Sequence, residues 1–180
     1  SAFIAFPNFT HAADQVVTNN DDSGAGSLRQ AILDIESSGS DGDEITFNLS
    51  GGNETITISS QFALIWQKNF IINGDNVAGS GTDVTVQVTS PGVSNFRIFE
   101  IRPYSGTHTI KNMTLRGGAL TADQGGAIKV HSGDATGNLT LENVTINDSK
   151  AKYGGAIYAW GTMGDITLTD VTIDNCDATN

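Results

Sequence analysis

Asp123, Lys129, His131 and Asp134, with the segment 121–124 carrying the first of them, are the best enzyme candidates in the chain. Carboxylates and an amine gathered on one flank would suit the binding of an acidic sugar polymer. The rest of the sequence argues against that use. No second stretch repeats the pattern. Only nine Lys and Arg stand against twenty Asp and Glu, and the net charge of −11 makes a polyanion a poor partner. These residues read as solvated loop side chains, and no catalytic residue is assigned.

Metal chemistry fares no better. Asp21-Asp22 and Asp41-Gly-Asp43-Glu44 supply hard oxygens of the kind calcium takes. Neither stretch follows an EF-hand loop or a glycine-rich calcium repeat, so both read as turns. His11, His108 and His131 are scattered and have no zinc spacing. Cys176 follows a strand with no His paired to it by motif, and reads as a small packed thiol. No metal ligand and no cofactor-binding residue is assigned, and no cofactor is expected. Asn-x-Ser/Thr triplets begin at Asn8, Asn48, Asn53, Asn112, Asn138, Asn143 and Asn147; several arise from an internal repeat and read as structural.

That repeat organises the chain. Leu139-Thr-Leu141-Glu-Asn143-Val144-Thr-Ile146 is followed by Tyr153-Gly154-Gly155-Ala156-Ile157. Upstream stand Ile110-Lys-Asn112-Met113-Thr-Leu115 and Gln124-Gly125-Gly126-Ala127-Ile128; downstream stands Ile166-Thr-Leu168-Thr-Asp170-Val171-Thr-Ile173. The Asn/Asp marks fall at 112, 143 and 170, steps of 31 and 27 residues, and the glycine pairs step by 29. A period in this range indicates a solenoid. Within one repeat, Leu139 and Leu141 alternate with one parity, Val144 and Ile146 with the other. A straight strand cannot bury all four on one side, because a one-residue shift flips every side chain. A corner at Asn143, in the left-handed conformation that Asn tolerates, restores a common inward face. Asn112 and Asp170 take the equivalent places. The Gly-Gly pairs supply a second corner, and Gly125 and Gly155 are expected at equivalent positions in it. The fold class expected is a single-stranded, right-handed parallel β-helix.

Composition agrees: 21 Gly for corners, 3 Pro, and apolar residues at 38%, enough for a narrow core. The acidic balance excludes nucleic acid and anionic membrane as partners. No apolar run is long enough for a transmembrane helix. Residues 1–13 are small and apolar and end in Ala12-Ala13, which reads as the tail of a secretory signal peptide. The β-helix domain is expected over 14–180. Ser27-Leu-Arg-Gln30 forms a capping box for a helix near 27–37, which would plug the N-terminal end of the solenoid. Strands are expected at 15–18, 45–49, 55–58, 69–72, 84–88 and 97–101. The third repeat breaks off near Asn180, so the chain is expected to continue into a longer parent.

Two stretches carry a resemblance to known proteins. Val17-Thr-Asn-Asn-Asp-Asp-Ser-Gly-Ala-Gly-Ser-Leu-Arg-Gln-Ala-Ile32, with Gly42-Asp-Glu-Ile-Thr-Phe47, resembles the opening of many large bacterial β-helix surface proteins. The Gly-Gly-Ala-Ile tetrapeptides resemble the repeat motif of chlamydial polymorphic outer membrane proteins, secreted β-helices many of which are autotransporter adhesins. The resemblance implies export, display at the bacterial surface and adhesion, with no catalytic residue. A host-cell or matrix protein or glycan would be met through flank loops such as 74–81, 103–106 and 117–124. The alternative is the first part of a carbohydrate-active, pectate-lyase-like β-helix enzyme whose catalytic coils lie beyond residue 180.

Overall fold

An alternation that changes parity at one residue has to turn there, and the turn recurs from coil to coil. The computed structural model describes residues 14–50, 54–76, 84–131, 136–161 and 164–179. The segment 1–13, with Asn8 and His11, lies outside the described residues, as do Asn53, Asp134 and most of the loop 74–81. Strand β1 (Gln15–Val17) precedes the helix α1 (Leu28–Ser38). Then come β2 (Glu44–Phe47), β3 (Thr55–Ile58), β4 (Ile71–Asn76), β5 (Val84–Val88) and β6 (Phe99–Ile101). The regular coils follow. They are β7 (Thr107–Arg116), β8 (Ala119–Gln124) and β9 (Ile128–His131); β10 (Asn138–Asn147), β11 (Lys150–Tyr153) and β12 (Ile157–Trp160); and β13 (Ile166–Asp174) with β14 (Asp177–Ala178).

Every pairing among these strands is parallel. The long sheet runs β1-β2-β4-β7-β10-β13, with β3 and β5 attached through β7; the second is β8-β11-β14 and the third β6-β9-β12. A chain that visits three sheets in turn, coil on coil, is a parallel β-helix. The segment 117–124, expected as a flank loop, instead forms β8 over its last six residues. Its polar composition hides a strand that pairs with β11 through its backbone and buries little beyond Ala119. Gly74, at the start of another expected loop, lies within β4.

The corners have a common geometry. Asn112, Asn143 and Asp170 adopt φ of 54°, 50° and 52°. The asparagine amides form a ladder: Asn143 Nδ2 donates to Asn112 Oδ1 at 3.1 Å, and Asn112 Nδ2 donates to Asn73 Oδ1 at 2.9 Å. A second left-handed corner follows at Gly117, Asp148 and Asn175, with φ of 82°, 54° and 49°. Asn175 Nδ2 donates to Asp148 Oδ1 at 2.6 Å, and Arg116 Nε donates to Asp148 Oδ2 at 2.8 Å.

The third corner corrects the glycine assignment. Gly125 is equivalent to Gly154, not Gly155; these two carry φ of 67° and 59°. Gly126 and Gly155 have no left-handed φ. They are glycines because the next coil presses on them: a Cβ on Gly155 would sit within 3 Å of the Asp177 backbone.

Inward-facing rungs fill the core. Leu141 pairs with Ile110 and Leu168, Val144 with Met113 and Val171, and Ile146 with Leu115 and Ile173. One rung is unexpected. His108 lies beneath Leu139 and Ile166, buried, edge-on to Phe70 at 6.0 Å, with neither ring nitrogen hydrogen-bonded. Burial pushes its pKa down to about 4, against a weaker opposite pull from Asp41.

The helix closes the N-terminal end of this core with Leu28, Ala31, Ile32 and Ile35. Ser27 is the N-cap and its Oγ accepts from Gln30 N, but the reciprocal arm of the expected capping box is absent. The Gln30 amide instead donates to Asp34 Oδ1 at 2.8 Å, one turn on. Arg29 ties the helix to the neighbouring coil. It donates to the carbonyls of Ser60 and Gln61 at 2.8 Å each, pairs with Asp22 at 2.7 Å and covers the Phe62 ring. At the helix end, buried Glu36 accepts from the backbone N–H groups of Trp66 and Gln67.

Candidate functional site: the outer face of the third sheet

The third sheet is short and its register is regular. Glu100 pairs with Lys129 and Lys129 with Tyr158; Ile101 pairs with Val130 and Val130 with Ala159; His131 pairs with Trp160. Period-two alternation sends Phe99, Ile101, Ile128 and Val130 into the core. It leaves Glu100, Lys129, His131, Tyr158 and Trp160 on the outer face. There Gln124, Lys129, His131, Tyr158 and Trp160 line an open groove of about 320 Å³. Trp160 is 63% exposed.

Beneath the groove lies a closed set of charges. Arg97 is buried, 3% exposed, and bridges two carboxylates: Nη1 donates to Glu100 Oε2 at 2.7 Å and Nη2 donates to Asp123 Oδ2 at 2.5 Å. Lys129 Nζ reaches Asp123 Oδ1 at 3.3 Å. His131 Nε2 lies 3.0 Å from Glu100 Oε1, and the Gln61 amide donates to Glu100 Oε2 at 3.2 Å. A buried guanidinium needs partners of this kind, because an unpaired charge there would cost several kcal/mol.

The electrostatics fix the state of both acids. Burial works to raise the Glu100 carboxyl, but the Gln61 hydrogen bond and the charges of Arg97, Lys129 and His131 outweigh it and hold it below its ordinary value. For Asp123, burial is again the largest single influence and is again overcome, by the Gln124 N–H and by Arg97 and Lys129. Both are anions at neutral pH, so neither stands ready as a proton donor. The arrangement can hold a polar ligand by fixed donors and acceptors beside two aromatic side chains.

No protein-family model, no curated protein and no solved structure matches the chain.

Of the four enzyme candidates, Asp123 and Lys129 are brought into contact, and His131 joins them through Glu100. Asp134 lies outside the described residues. Arg97 and Glu100, which hold the set together, escape a search confined to one coil. The signal for Glu100 is the coil period: Glu100, Lys129 and Tyr158 are each 29 residues apart, as are His131 and Trp160.

The oxygen-rich turns are occupied by the fold itself. Asp22 accepts from Arg29 and Ser59, Asp41 from Asn69 N, and Asp43 from Ser40 N, while Glu44 pairs with Lys111 at 3.5 Å. Among the described residues no group of three or more His, Cys, Asp or Glu could hold a metal ion. Cys176 is half-buried and donates to Asp174 O at 3.2 Å; burial raises its thiol pKa, which leaves it a weak nucleophile. A second concavity, about 410 Å³, lies between the loop at Val93–Ser94 and β8. Lys150 is the one charged side chain lining it among the described residues.

Proposed function

We propose that the chain is a non-enzymatic β-helix module of a bacterial surface protein, secreted, adhesin- or autotransporter-like, that works by displaying a flank to an external partner. One observation carries this reading. On the outer face of the third sheet both carboxylates are neutralised by buried or half-buried cations, while Trp160 stands open beside them. Paired charges with an exposed ring serve contact better than bond cleavage. The fold supports reach as well, since each coil advances the stack by about 4.8 Å. The acidic surface would keep such a rod soluble and repel polyanions. The partner class is a host-cell or matrix protein or glycan, and no nucleic acid. The test is to display the chain on beads and measure adhesion to host cells and matrix. Adhesion above an albumin control is expected, and its absence would leave only a structural spacer.

A second reading has an observation of its own. Asp123, Lys129, Arg97 and Glu100 converge on one flank, the kind of gathering a carbohydrate-active β-helix enzyme would need. Incubation with pectin, polygalacturonate and other polysaccharides is expected to release no sugar. Release that disappears in Asp123→Ala and Lys129→Ala would favour the enzyme.

A further inference from the structure

We infer that the outer face of the third sheet binds an uncharged polysaccharide, with sugar rings laid against Trp160 and Tyr158; this rests on the surface-module reading and names its ligand class. An exposed indole keeps a large apolar area in water, and the C–H face of a pyranose can cover it while the ring's hydroxyls remain at the edge. Tyr158 and Trp160 project from the same face of β12, two residues apart, so their attachment points lie about 7 Å apart along the strand. One short stretch of polymer spans both. The groove beside them is about 320 Å³, the size of a small-ligand cleft rather than a protein–protein patch.

Edge contacts are already in place. Gln124 offers an amide donor and acceptor. Lys129 carries three donor hydrogens, of which its contact with Asp123 uses one. His131 is oriented by Glu100, and lines the same groove. Charge decides between sugar classes. Arg97 and Lys129 are offset by Glu100 and Asp123, and Arg102, one position beyond Ile101, does not line the groove. A uronate or sulfated chain would meet no unspent cation there and would approach a protein of net charge −11.

The full chain would be titrated by calorimetry with cellohexaose, maltohexaose and xylohexaose, and with oligogalacturonate. At least one neutral oligosaccharide is expected to bind, with little dependence on ionic strength. Trp160→Ala is expected to weaken it by about tenfold or more, that is about 1.4 kcal/mol, with unchanged circular dichroism, since it removes the apolar face that the sugar ring covers. Binding of no neutral sugar, binding untouched by Trp160→Ala, or binding only of oligogalacturonate that salt abolishes would each overturn the inference. Bead adhesion separates the two levels. If wild type and Trp160→Ala adhere to cells equally and no sugar binds, the sugar inference fails and the surface module stands. If sugar binds through Trp160 while cells are ignored, the sugar site stands and adhesion fails.

Discussion

Strands β10 and β13 carry nearly the same residues, Leu139-Thr-Leu-Glu-Asn-Val-Thr-Ile146 against Ile166-Thr-Leu-Thr-Asp-Val-Thr-Ile173, and pair rung for rung. Their corners agree within a few degrees. Their burial does not. Leu141 is 0% exposed, while its partner Leu168 is 49% and Ile173 is 50%. The difference lies outside both sequences: β10 has β7 on one side and β13 on the other, whereas β13 is paired along one edge only among the described residues. In a solenoid the alternation and the corner decide which side chains point inward. The neighbouring coils decide what that direction is worth.

The sharpest way to break this comparison is to truncate the same rung in both strands. Leu141→Ala should cost about 2–5 kcal/mol, because it removes a buried side chain and leaves a cavity between two coils. Leu168→Ala should cost about 1 kcal/mol or less, since half of that side chain is already in water and no cavity forms. Urea unfolding followed by circular dichroism measures both. Equal costs would mean that the open side of β13 is covered in solution.

A third residue type on the same ladder sharpens it further. His108 occupies the rung below Leu139 and Ile166, with its folded pKa near 4 against 6.5 for the free group. Above pH 6.5 both states are neutral and stability is complete. As pH falls below 6.5 the unfolded chain takes up a proton that the folded one refuses, so stability drops until about pH 4 and then levels. The loss should approach about 3 kcal/mol. Asp22, Glu100 and Asp123 have lowered values, so their contributions fade at the lower end of this window or below it. His108→Leu should raise stability at pH 5 and remove the His108 part of the slope between 6.5 and 4, leaving the opposite slope of Glu36, whose carboxyl burial pushes up; chemical denaturation at a series of pH values reads both.

What could be read in the sequence follows the same division. The helix at Leu28–Ser38 and the corners at Asn112, Asn143 and Asp170 were legible, because each is encoded locally, in a cap or a change of parity. The strand β8 was not, since Thr121-Ala-Asp-Gln124 has no apolar alternation and a single β-branched residue, Thr121, and is a strand only because β11 pairs with it. The second corner was obscured because Gly117, Asp148 and Asn175 share a conformation and not a residue type. Asp123 and Lys129 could be suspected as a pair within one coil. Arg97 and Glu100 belong to the coil before, and Tyr158 and Trp160 to the coil after. Only the 29-residue step brings them to one face.

The smallest expected effect isolates the corner from the stack. Asn143 and Asp170 share the left-handed conformation, so replacing either by Val imposes a similar backbone strain, about 1–2 kcal/mol for a side chain branched at Cβ. Asn143 also donates to the Asn112 side chain, an exposed bond worth about 0.5–1 kcal/mol. Asn143→Val should therefore cost slightly more than Asp170→Val. Asn143→Gly and Asp170→Gly relieve the strain and should differ only through the side-chain bonds each one loses, the bond to Asn112 among them, since glycine enters this region freely. Four unfolding curves separate the two contributions. If the Gly variants lose as much as the Val variants, strain is not what selects Asn and Asp here, and the amide ladder must carry the corner instead.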